Sequence, residues 1–476
     1  MNGLESALDF FAAMAIFSPL ALALFMLLAF VFQIKLPEKI IALVVELSVF
    51  FALAGILGIV FLFLSNGVKK WGYEPLPTFH LESFHFDFQF YFDWLSLSFA
   101  TLALLLCFVI AFFSQRYMHR EPGYQRFFVL YSIFVSGIVI ASLSGTIESL
   151  FVGWEMVGLS SALLVAFFHE RIMPTRNGLH LWIVYRISDA ALFLASYLLH
   201  HALGQGFFQV ILEQGSEGLA NEVSSPVLIG AGVLIFLASA CKSALFPFSG
   251  WLPRAMEGPT PTSAIFYEAL SIHLGAFLLL RLNPIVKLSP ILAWTVVFFG
   301  LLTALVSGII ANAQADIKSI LAYATLTQVG IIIAEIGFGL ELLPLIHIIG
   351  HASLRTYQFL RAPSSFAYYK SLEESLGRTN LNKNTPKNRL APTGTLSLAI
   401  YSFALNRGGM DSMLEKFITK PFVQMFKLAD IFEKKWGSIL AGTERVRPRI
   451  LGVSSSFGPV RVPLFGVSDT NQSRHS

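Results

Sequence analysis

Long apolar runs, which recur along most of this chain of 476 residues, restrict its possible folds more than any other feature of the sequence. A helix needs about 20 apolar residues to cross the hydrocarbon core of a bilayer, which is roughly 30 Å thick. Only 13% of the residues are charged, and this is about half the usual share in a soluble domain. The sequence therefore predicts an all-α polytopic membrane protein with about 11–12 transmembrane helices in a lipid bilayer.

Helix lengths and helix-breaking residues place the spans, because a helix in lipid can be apolar on every face and its periodicity says little. Glu5 and Asp9 precede the first apolar run, so the N-terminus is interpreted as a membrane helix and not as a cleaved signal. The predicted spans cover residues 11–32, 41–64, 94–115, 126–144, 148–168, 178–203, 227–246, 262–281, 291–312, 317–338 and 341–360.

Four other segments have patterns of their own. In FHFDFQFYFDWLS (84–96) aromatic and polar residues alternate, which predicts a short hairpin at the membrane surface. The segment LSLAIYSFAL (396–405) has about half a spanning length, so we expect it to lie in the interface or to re-enter the membrane. Residues 411–440 place basic residues among spaced apolar ones, as interfacial amphipathic helices do. The tail 441–476 is basic and rich in Pro, Gly and Ser, so it is predicted to be disordered.

Basic residues in short loops predict the orientation, because they accumulate on the cytoplasmic side of a membrane protein. One side of this chain receives Lys35, Lys39, Arg116, Arg120, Arg126, Arg171, Arg176, Arg254 and Lys318. The other side receives Lys69, Lys70, Arg281 and Lys287, with the acidic Glu213, Glu217 and Glu222. We therefore expect an inner (plasma) membrane protein with its N-terminus outside and its C-terminal tail in the cytoplasm. The net charge of +4 does not suggest a nucleic-acid partner.

Ionisable residues inside the predicted spans are the main candidates for function. A charge at the centre of a spanning helix costs about 2.5–3.5 kcal/mol on insertion scales, so such residues usually face the bundle interior. The candidates here are Glu155, Arg186, Asp189, Lys242, Glu268, His273, His347, His351 and Arg355. Arg186 and Asp189 are three residues apart and share a helix face, so a purely structural ion pair explains them as well as a functional one does.

Lys242 and Glu155 differ from that pair, because neither has an opposite charge within one turn of its own helix. Each must therefore find a partner on another helix or change its protonation state. Pro247 lacks an N–H group and clashes with the carbonyl of Ser243, which predicts a break just past Lys242. Freed backbone groups are tolerated at membrane depth beside wet cavities, and broken helices hold ion sites in many transporters. The sequence predicts that Lys242 is a switchable proton site.

Simpler roles are expected for several other polar residues. Arg281 and Lys287 lie at helix ends, where their side chains are expected to reach towards water. Asp316 and Lys318 lie near a helix start, where a capping or solvated role is expected. Cys107 and Cys241 lie inside apolar runs and are interpreted as small packing residues, not as a disulfide or as metal ligands.

A metal site is the alternative for the two histidines of the eleventh span. His347 and His351 are four residues apart, which would place both on one helix face. Arg355 one turn further would repel a cation, and no cysteine or acidic residue lies nearby in the sequence. No metal site and no cofactor are therefore predicted in this chain.

Three stretches resemble the antiporter-like proton-pumping subunits of respiratory complex I and the Mrp antiporters. They are WEMVGLSSALLVAFF, CKSALFPFSGWLPRAMEGPTPTSA and ADIKSILAYATLTQVG, and the resemblance covers roughly residues 90–360. It implies an antiporter-like fold with a broken seventh helix and a proton-conducting core at 94–360, after an N-terminal region at 1–93. It also implies a horizontal proton path near mid-membrane that consists of Glu155, Lys242, the pair Arg186 and Asp189, and the histidines His347 and His351.

The chain departs from that family at several positions. Tyr267 stands where a histidine is usual, and Glu268 and His273 have no usual counterparts. Arg355 replaces a usual lysine, and since an arginine stays protonated it would act as a fixed charge and not as a proton carrier. The sequence also ends before the later helices of the family and their second broken-helix lysine.

These departures, together with FYEALSIHLGAFLLLR, LRAPSS and IYSFALNRGGMDSMLEKFITKPF, resemble the DabB family over about residues 90–435. These are the membrane subunits of a two-component inorganic carbon accumulation complex. The resemblance implies a soluble zinc-bearing partner, DabA, that hydrates CO2 to bicarbonate, while this subunit supplies cation flow and is not itself an enzyme. The cation is expected to be H+, with Na+ as the other choice. Residues 361–440 would form a cytoplasmic linker, the short apolar segment and the interfacial helix.

Two other functions stay open. One is a cation/proton antiporter or an NADH-quinone oxidoreductase-type proton-translocating subunit. The other, from a different class, is a non-conducting membrane scaffold that anchors a soluble enzyme and keeps its charges as structural pairs.

Overall fold

The computed structural model describes residues 2–75, 79–81, 84–86, 88–203, 207–222, 225–314, 316–375, 401–409 and 413–440. Predictions for the linker after residue 375, for the first half of the short apolar segment 396–405 and for the tail 441–476 lie outside these residues.

Helices dominate the described chain, as predicted. The helices before the break are α1 (Asn2–Val31), α2 (Glu38–Asn66), α3 (Trp94–Tyr117), α4 (Tyr124–Leu143), α5 (Ile147–Val165), α6 (Ile172–Leu203), α7 (Phe208–Glu222) and α8 (Ser225–Lys242). Those after it are α9 (Trp251–Arg254), α10 (Thr260–Thr262), α11 (Ser271–Arg281), α12 (Asn283–Lys287), α13 (Pro290–Ala311), α14 (Ile317–Gly337), α15 (Leu342–Ser375) and α16 (Lys420–Leu440).

Within the described residues, nine helices are long and apolar enough to cross a membrane. They are α1 to α6, the continuous helix Thr260–Arg281, α13 and α14. The seventh predicted span corresponds to α8, which has 18 residues, and the eleventh lies within α15. The chain is therefore a multi-pass membrane protein, and its predicted all-α architecture is confirmed.

The sequence predicted a hairpin within residues 84–96, but each strand of this segment pairs with an earlier strand of the chain. Strand β1 (Trp71–Tyr73) pairs antiparallel with β4 (Phe90–Phe92), and β2 (Phe79–Leu81) pairs with β3 (Phe84–Phe86). The alternating segment thus supplies one strand to each of two small sheets. It then ends at Asp93, whose carboxylate accepts a hydrogen bond of 2.8 Å from the Ser96 N–H and caps α3. Helix capping ends the strand pattern at this point.

The chain breaks after Lys242, where α8 ends, and this confirms the predicted effect of Pro247. A 3-10 turn (Phe248–Gly250), α9 and a second 3-10 turn (Ala255–Glu257) follow before α10. Two backbone groups next to the break form hydrogen bonds with side chains. The Trp251 indole N–H donates to the Cys241 carbonyl at 3.0 Å, and the Phe246 N–H donates to the Thr303 hydroxyl oxygen at 2.9 Å. Side chains thus satisfy two of the backbone groups at the break.

The helix after the break contains an irregularity that the sequence did not predict. Residues Ser263–Leu270 between α10 and α11 form a π-helix, and all eight are buried. Such turns are rare and occur frequently at functional sites. Glu268 lies inside it.

Glycines allow the helices around the candidate residues to approach closely. A Cβ atom on Gly137 of α4 would lie 2.7 Å from the Met156 Cβ and 3.0 Å from the Gly153 carbonyl oxygen of α5. On the other side of the bundle, a Cβ on Gly300 of α13 would lie 2.7 Å from the Gly330 carbonyl oxygen of α14. Small residues at such crossings allow backbone contact between membrane helices.

The C-terminal segment is helical where an amphipathic helix was predicted. A π-helical turn (Glu415–Thr419) precedes α16, and it contacts α6, with Glu415 3.0 Å from Arg176 and Thr419 2.9 Å from His180. The described residues from Phe422 onward belong to a separate unit of the chain. Its helix exposes Met425, Phe426, Leu428, Ile431, Phe432 and Trp436.

Candidate functional site

Lys242 is the last residue of α8 and is completely buried. Its Nζ donates a hydrogen bond of 3.1 Å to the Trp154 carbonyl of α5. It also lies 4.8 Å from the Trp154 ring centroid and 4.2 Å from that of Tyr185 on α6, within cation–π distance. In the described part of the chain it makes no ion pair. The ammonium group is thus held by a carbonyl and two aromatic faces, without a fixed counter-ion.

Three charged side chains form a triad on α5 and α6. Arg186 contacts Glu155 at 2.6 Å and Asp189 at 2.6 Å. The pair expected between Arg186 and Asp189 is present, and Glu155 finds its partner on a neighbouring helix. Arg186 and Glu155 are 29% and 28% exposed, whereas Asp189 is only 4% exposed. The carboxylate of Asp189 is therefore the one that faces the protein interior.

Helix spacing places this triad beside Lys242. Asp189 follows Tyr185 by one turn of α6, so both project from one helix face. Trp154 and Gly158 have the same spacing on α5, and a Cβ atom on Gly158 would lie only 3.2 Å from Nζ of Lys242. A glycine here leaves room for the ammonium group. The site therefore places a buried ammonium group in a neutral cage next to a helix face that carries a carboxylate.

Tyr185 connects Lys242 to the next helix. Its ring packs on the ammonium group, and its hydroxyl lies 3.2 Å from the Ser271 hydroxyl at the start of α11. Ser271 lies three residues after Glu268 and two before His273. Tyr185 therefore contacts the lysine through its ring and, through its hydroxyl, the helix that contains the second group of ionisable residues.

Glu268 projects from the π-helix and is completely buried. Its Oε2 accepts a hydrogen bond from the Thr325 hydroxyl of α14, and its Oε1 has no hydrogen-bond partner among the described residues. No contact between Glu268 and His273 is found in the described structure, which agrees with the expectation that residues five apart need not touch.

His273, His351 and Arg355 form a continuous hydrogen-bonded row. Arg355 Nε lies 3.1 Å from His351 Nε2, His351 Nδ1 lies 3.2 Å from His273 Nε2, and His273 Nδ1 lies 2.6 Å from the Ala269 carbonyl. Because Arg355 can only donate, His351 Nε2 must accept, so its Nδ1 carries the proton. The same logic places the His273 proton on Nδ1. Both imidazoles are neutral in this arrangement, with a fixed positive charge at one end.

His347 lies one turn before His351 on α15, with the ring centroids 6.4 Å apart. Its Nδ1 is 3.0 Å from Glu335 Oε1 and its Nε2 is 3.1 Å from Gln328 Oε1, both on α14. The imidazole is thus held between two polar side chains of α14. Sequence reasoning missed Glu335 and Gln328. A lone carboxylate within the apolar run IIIAEIGF was the available signal.

A second buried pair was also missed. Glu148 at the start of α5 lies 3.0 Å from His200 near the end of α6, and both side chains are at most 10% exposed. Among the described residues, no group of three His, Cys, Asp or Glu side chains suits a metal ion. Asp316 caps α14 through a hydrogen bond of 2.9 Å from the Ser319 N–H, as expected for that position.

The expected reach of Arg281 towards water is wrong. Arg281 is only 1% exposed and contacts Asp93 at 2.5 Å and 3.2 Å, because the cap of α3 lies at the same end of the bundle and supplies a counter-ion. Burial alone would raise the pKa of Asp93, but the charge and hydrogen bonds of Arg281 and the hydrogen bond from Ser96 hold it below its ordinary value. Lys287 behaves as expected, with 41% exposure beside Glu341.

Comparisons with known proteins agree with the fold. Residues 144–393 match the family described as NADH:quinone oxidoreductase/Mrp antiporter, TM, and residues 79–128 match NADH-Ubiquinone oxidoreductase (complex I), chain 5 N-terminus. The chain is similar to NAD(P)H-quinone oxidoreductase chain 5 of Synechocystis sp., with 35% identity over 283 residues, which is 58% of this chain and 41% of that protein. It is 31% identical over 281 residues to NADH-ubiquinone oxidoreductase chain 5 of Hypocrea jecorina, covering 59% and 40% of the two chains.

Two solved structures have the same fold. One is the Mrp complex from Dietzia sp., with a TM-score of 0.58, 24% identity and coverage of 75% of this chain and 37% of that one. The other is the membrane-bound sulfane sulfur reductase (MBS), an archaeal respiratory membrane complex, with a TM-score of 0.61, 20% identity and coverage of 73% and 70%. The chain spans less than half the length of the two curated relatives above. Since the first family match extends over more than half of its residues, this chain belongs to the NADH:quinone oxidoreductase/Mrp antiporter family of membrane proteins.

Proposed function

We propose that this chain conducts protons through the membrane as one subunit of a larger complex. The observation that carries the proposal is the state of Lys242, which is completely buried and held without a fixed counter-ion beside the triad of Glu155, Arg186 and Asp189. A lysine in this position can pick up and release a proton as a carboxylate approaches or withdraws.

The proposed path crosses the bundle sideways. It begins at the triad, passes Lys242 and the Tyr185–Ser271 contact, and reaches Glu268 and the histidine row. Glu268 has an oxygen without a hydrogen-bond partner among the described residues, so it has capacity to bind a proton or a water molecule. His347 with Glu335 would form the far end of the path.

In finer detail, we propose that the complex is an inorganic carbon uptake system of the DabB type. Proton flow through the complex would drive the hydration of CO2 in one direction only, and a soluble zinc protein of the DabA kind would carry out that hydration. The support comes from the residues that depart from the wider family. Of these, His273 and Arg355 both bond to His351, and Glu268 bonds to α14 beside α15.

The proposed function is tested by Lys242→Ala in the full complex. We expect proton flux into membrane vesicles to fall to background, and growth at ambient CO2 to fail while growth at high CO2 continues. Lys287→Ala is the matched control, because Lys287 is exposed at the end of the bundle. Normal membrane insertion with unchanged flux in Lys242→Ala would refute the proposal.

The competing function is a proton-translocating subunit of a redox-driven complex, and the names of the curated relatives favour it. Purification of the native complex decides between the two. Flavin- or iron–sulfur-containing subunits would support the redox complex, whereas a single large zinc protein would support carbon uptake. A partner that stays active after the membrane potential is dissipated would instead indicate a non-conducting scaffold.

A further inference from the structure

Glu148 and His200 form a buried acid–base pair outside the path described above. Oε1 of Glu148 lies 3.0 Å from Nδ1 of His200, and the Ser196 hydroxyl donates to the same oxygen at 3.4 Å. The side chains of Glu148 and His200 are 10% and 9% exposed. A buried carboxylate requires compensation, and here it comes from a second group that can itself bind a proton.

The pair lies at one end of the bundle. Glu148 is the second residue of α5, and His200 lies three residues before the end of α6. These two helices run in opposite directions, so their named ends meet. The residues just before α5 are hydrogen-bonded to the residue just before β4, since the Gly145 N–H donates to the Gln89 carbonyl at 2.8 Å. Loop charges predict that this end faces the outside.

Helix periodicity aligns the pair with the triad. Glu148 and Glu155 are seven residues apart, so they project from nearly the same face of α5 with a rise of about 10.5 Å between them. On α6, Asp189, Ser196 and His200 follow at spacings of seven and four, which keeps all three on one face. Both polar rows face the seam between α5 and α6, because Glu148 bonds to Ser196 and His200 at one level and Arg186 bonds to Glu155 at the other.

We propose that Glu148 and His200 are a proton-loading site through which a proton enters the seam from the predicted outer end, an inference that rests on the proposed function. The pair takes a proton from water at the mouth of the seam and passes it to Glu155 and Asp189. The rise between the two levels corresponds to between three and four hydrogen bonds of about 2.9 Å each, so water bridges them in this proposal. The ligand of this site is a proton or hydronium ion.

The pair also has a simpler interpretation. An acidic residue in the first turn of a helix and a histidine in the last turn each stabilise the helix dipole. A purely stabilising pair would lower thermal stability when removed but would leave the proton flux of the folded protein unchanged. The two roles therefore separate experimentally.

The test uses the full complex in sealed, right-side-out vesicles, with proton flux followed by a pH-sensitive dye. Glu148→Gln and His200→Gln keep the side-chain volumes but disrupt the acid–base pair. We expect each to reduce flux by about 100-fold or more, the lower end of the range for loss of a proton-transfer group. Glu170→Gln is the control, because Glu170 also adjoins a histidine, His169, but is 71% exposed at the opposite end of α5 and α6.

A second measurement tests access by water. Glu148→Cys should react with a charged thiol reagent added outside, whereas the native Cys107 and Cys241 are buried and should not. If Lys242→Ala also retains flux, the proposed function fails and the loading site fails with it. If Lys242→Ala loses flux while both glutamine variants conduct normally, or if Glu148→Cys stays unlabelled, the loading site alone is wrong.

Discussion

Arg355 donates a hydrogen bond to His351 over 3.1 Å and thereby determines which ring nitrogen of that histidine carries its proton. The guanidinium stays protonated, so Nε2 of His351 remains an acceptor and Nδ1 remains a donor to His273. Arg355 does not titrate, and it thus sets the direction of the hydrogen bonds in a row of histidines that can titrate.

Arg355→Met should release His351 from this single tautomer. Without the fixed donor on Nε2, we expect the neutral ring to populate both tautomers. Nitrogen-15 NMR of histidine-labelled protein would report this as a change in the neutral-imidazole signals of His351 relative to wild type. Arg361→Met on the same helix, whose guanidinium contacts Tyr357, is the control. An unchanged spectrum in Arg355→Met would contradict this assignment of the tautomer.

Lys242→Arg should be inactive although it keeps the positive charge. Arginine does not release its proton in proteins, so a switchable site becomes a fixed one. We expect at least about a tenfold loss of proton flux, as for removal of a general acid–base group. Thermal unfolding checks that the variant is folded. Near-normal flux would mean that charge alone, and not proton exchange, is what Lys242 contributes.

Gly158→Ala should disturb the same site from the opposite helix. The added Cβ would lie 3.2 Å from Lys242 Nζ and 3.4 Å from Tyr185 Cδ2, so the ammonium group must shift by a few tenths of an ångström. A shift of this size affects proton transfer more than folding, and we expect a partial loss of flux, on the order of tenfold or less. Gly230→Ala on α8 is the control, since nothing lies within 4 Å of its Cβ position. Equal flux in both variants would contradict the prediction.

Asp93→Asn should destabilise the protein. It leaves the buried Arg281 without its counter-ion, and breaking a buried pair from one side costs about 3 kcal/mol. We expect a lower melting temperature in detergent at neutral pH. Lys70→Gln, which removes an exposed pair with Glu213 at the same end of the bundle, should have little effect.

The same pair predicts a dependence on pH. The pKa of Asp93 lies below its ordinary value in the folded protein. Its contribution is therefore complete above the unfolded pKa of about 3.9 and disappears as the pH falls through the lowered folded value. The gap in melting temperature between wild type and Asp93→Asn should shrink as the pH falls below about 4. A gap that stays constant down to strongly acidic pH would contradict this explanation.

Local chemistry explains the parts of the fold that the sequence predicted. Apolar length places helices in a membrane, and Pro247 ends α8 at Lys242 because the effect of a proline acts within one turn. The resemblance to complex I and Mrp subunits is confirmed, since its motifs are continuous in sequence. The interfacial charge pattern likewise predicted a helix that includes Lys420–Leu440.

The features that the sequence did not predict depend on contacts between residues that are distant in the sequence. Arg281 is buried because Asp93, 188 residues earlier, lies beside it. The pairing of β1 with β4 depends on a segment upstream of the alternating motif. His347 needs Glu335 and Gln328 on another helix, and nothing in a single sequence indicates the π-helix that aims Glu268 at Thr325.

The break after Lys242 is tied on both sides, by the Trp251 indole on the Cys241 carbonyl and by the Thr303 hydroxyl on the Phe246 amide. These two hydrogen bonds anchor the interrupted helix on both sides of the break. If this chain conducts protons as proposed, the four-carbon side chain of Lys242, tethered to that anchored backbone, would set the distance that a proton covers at this one step.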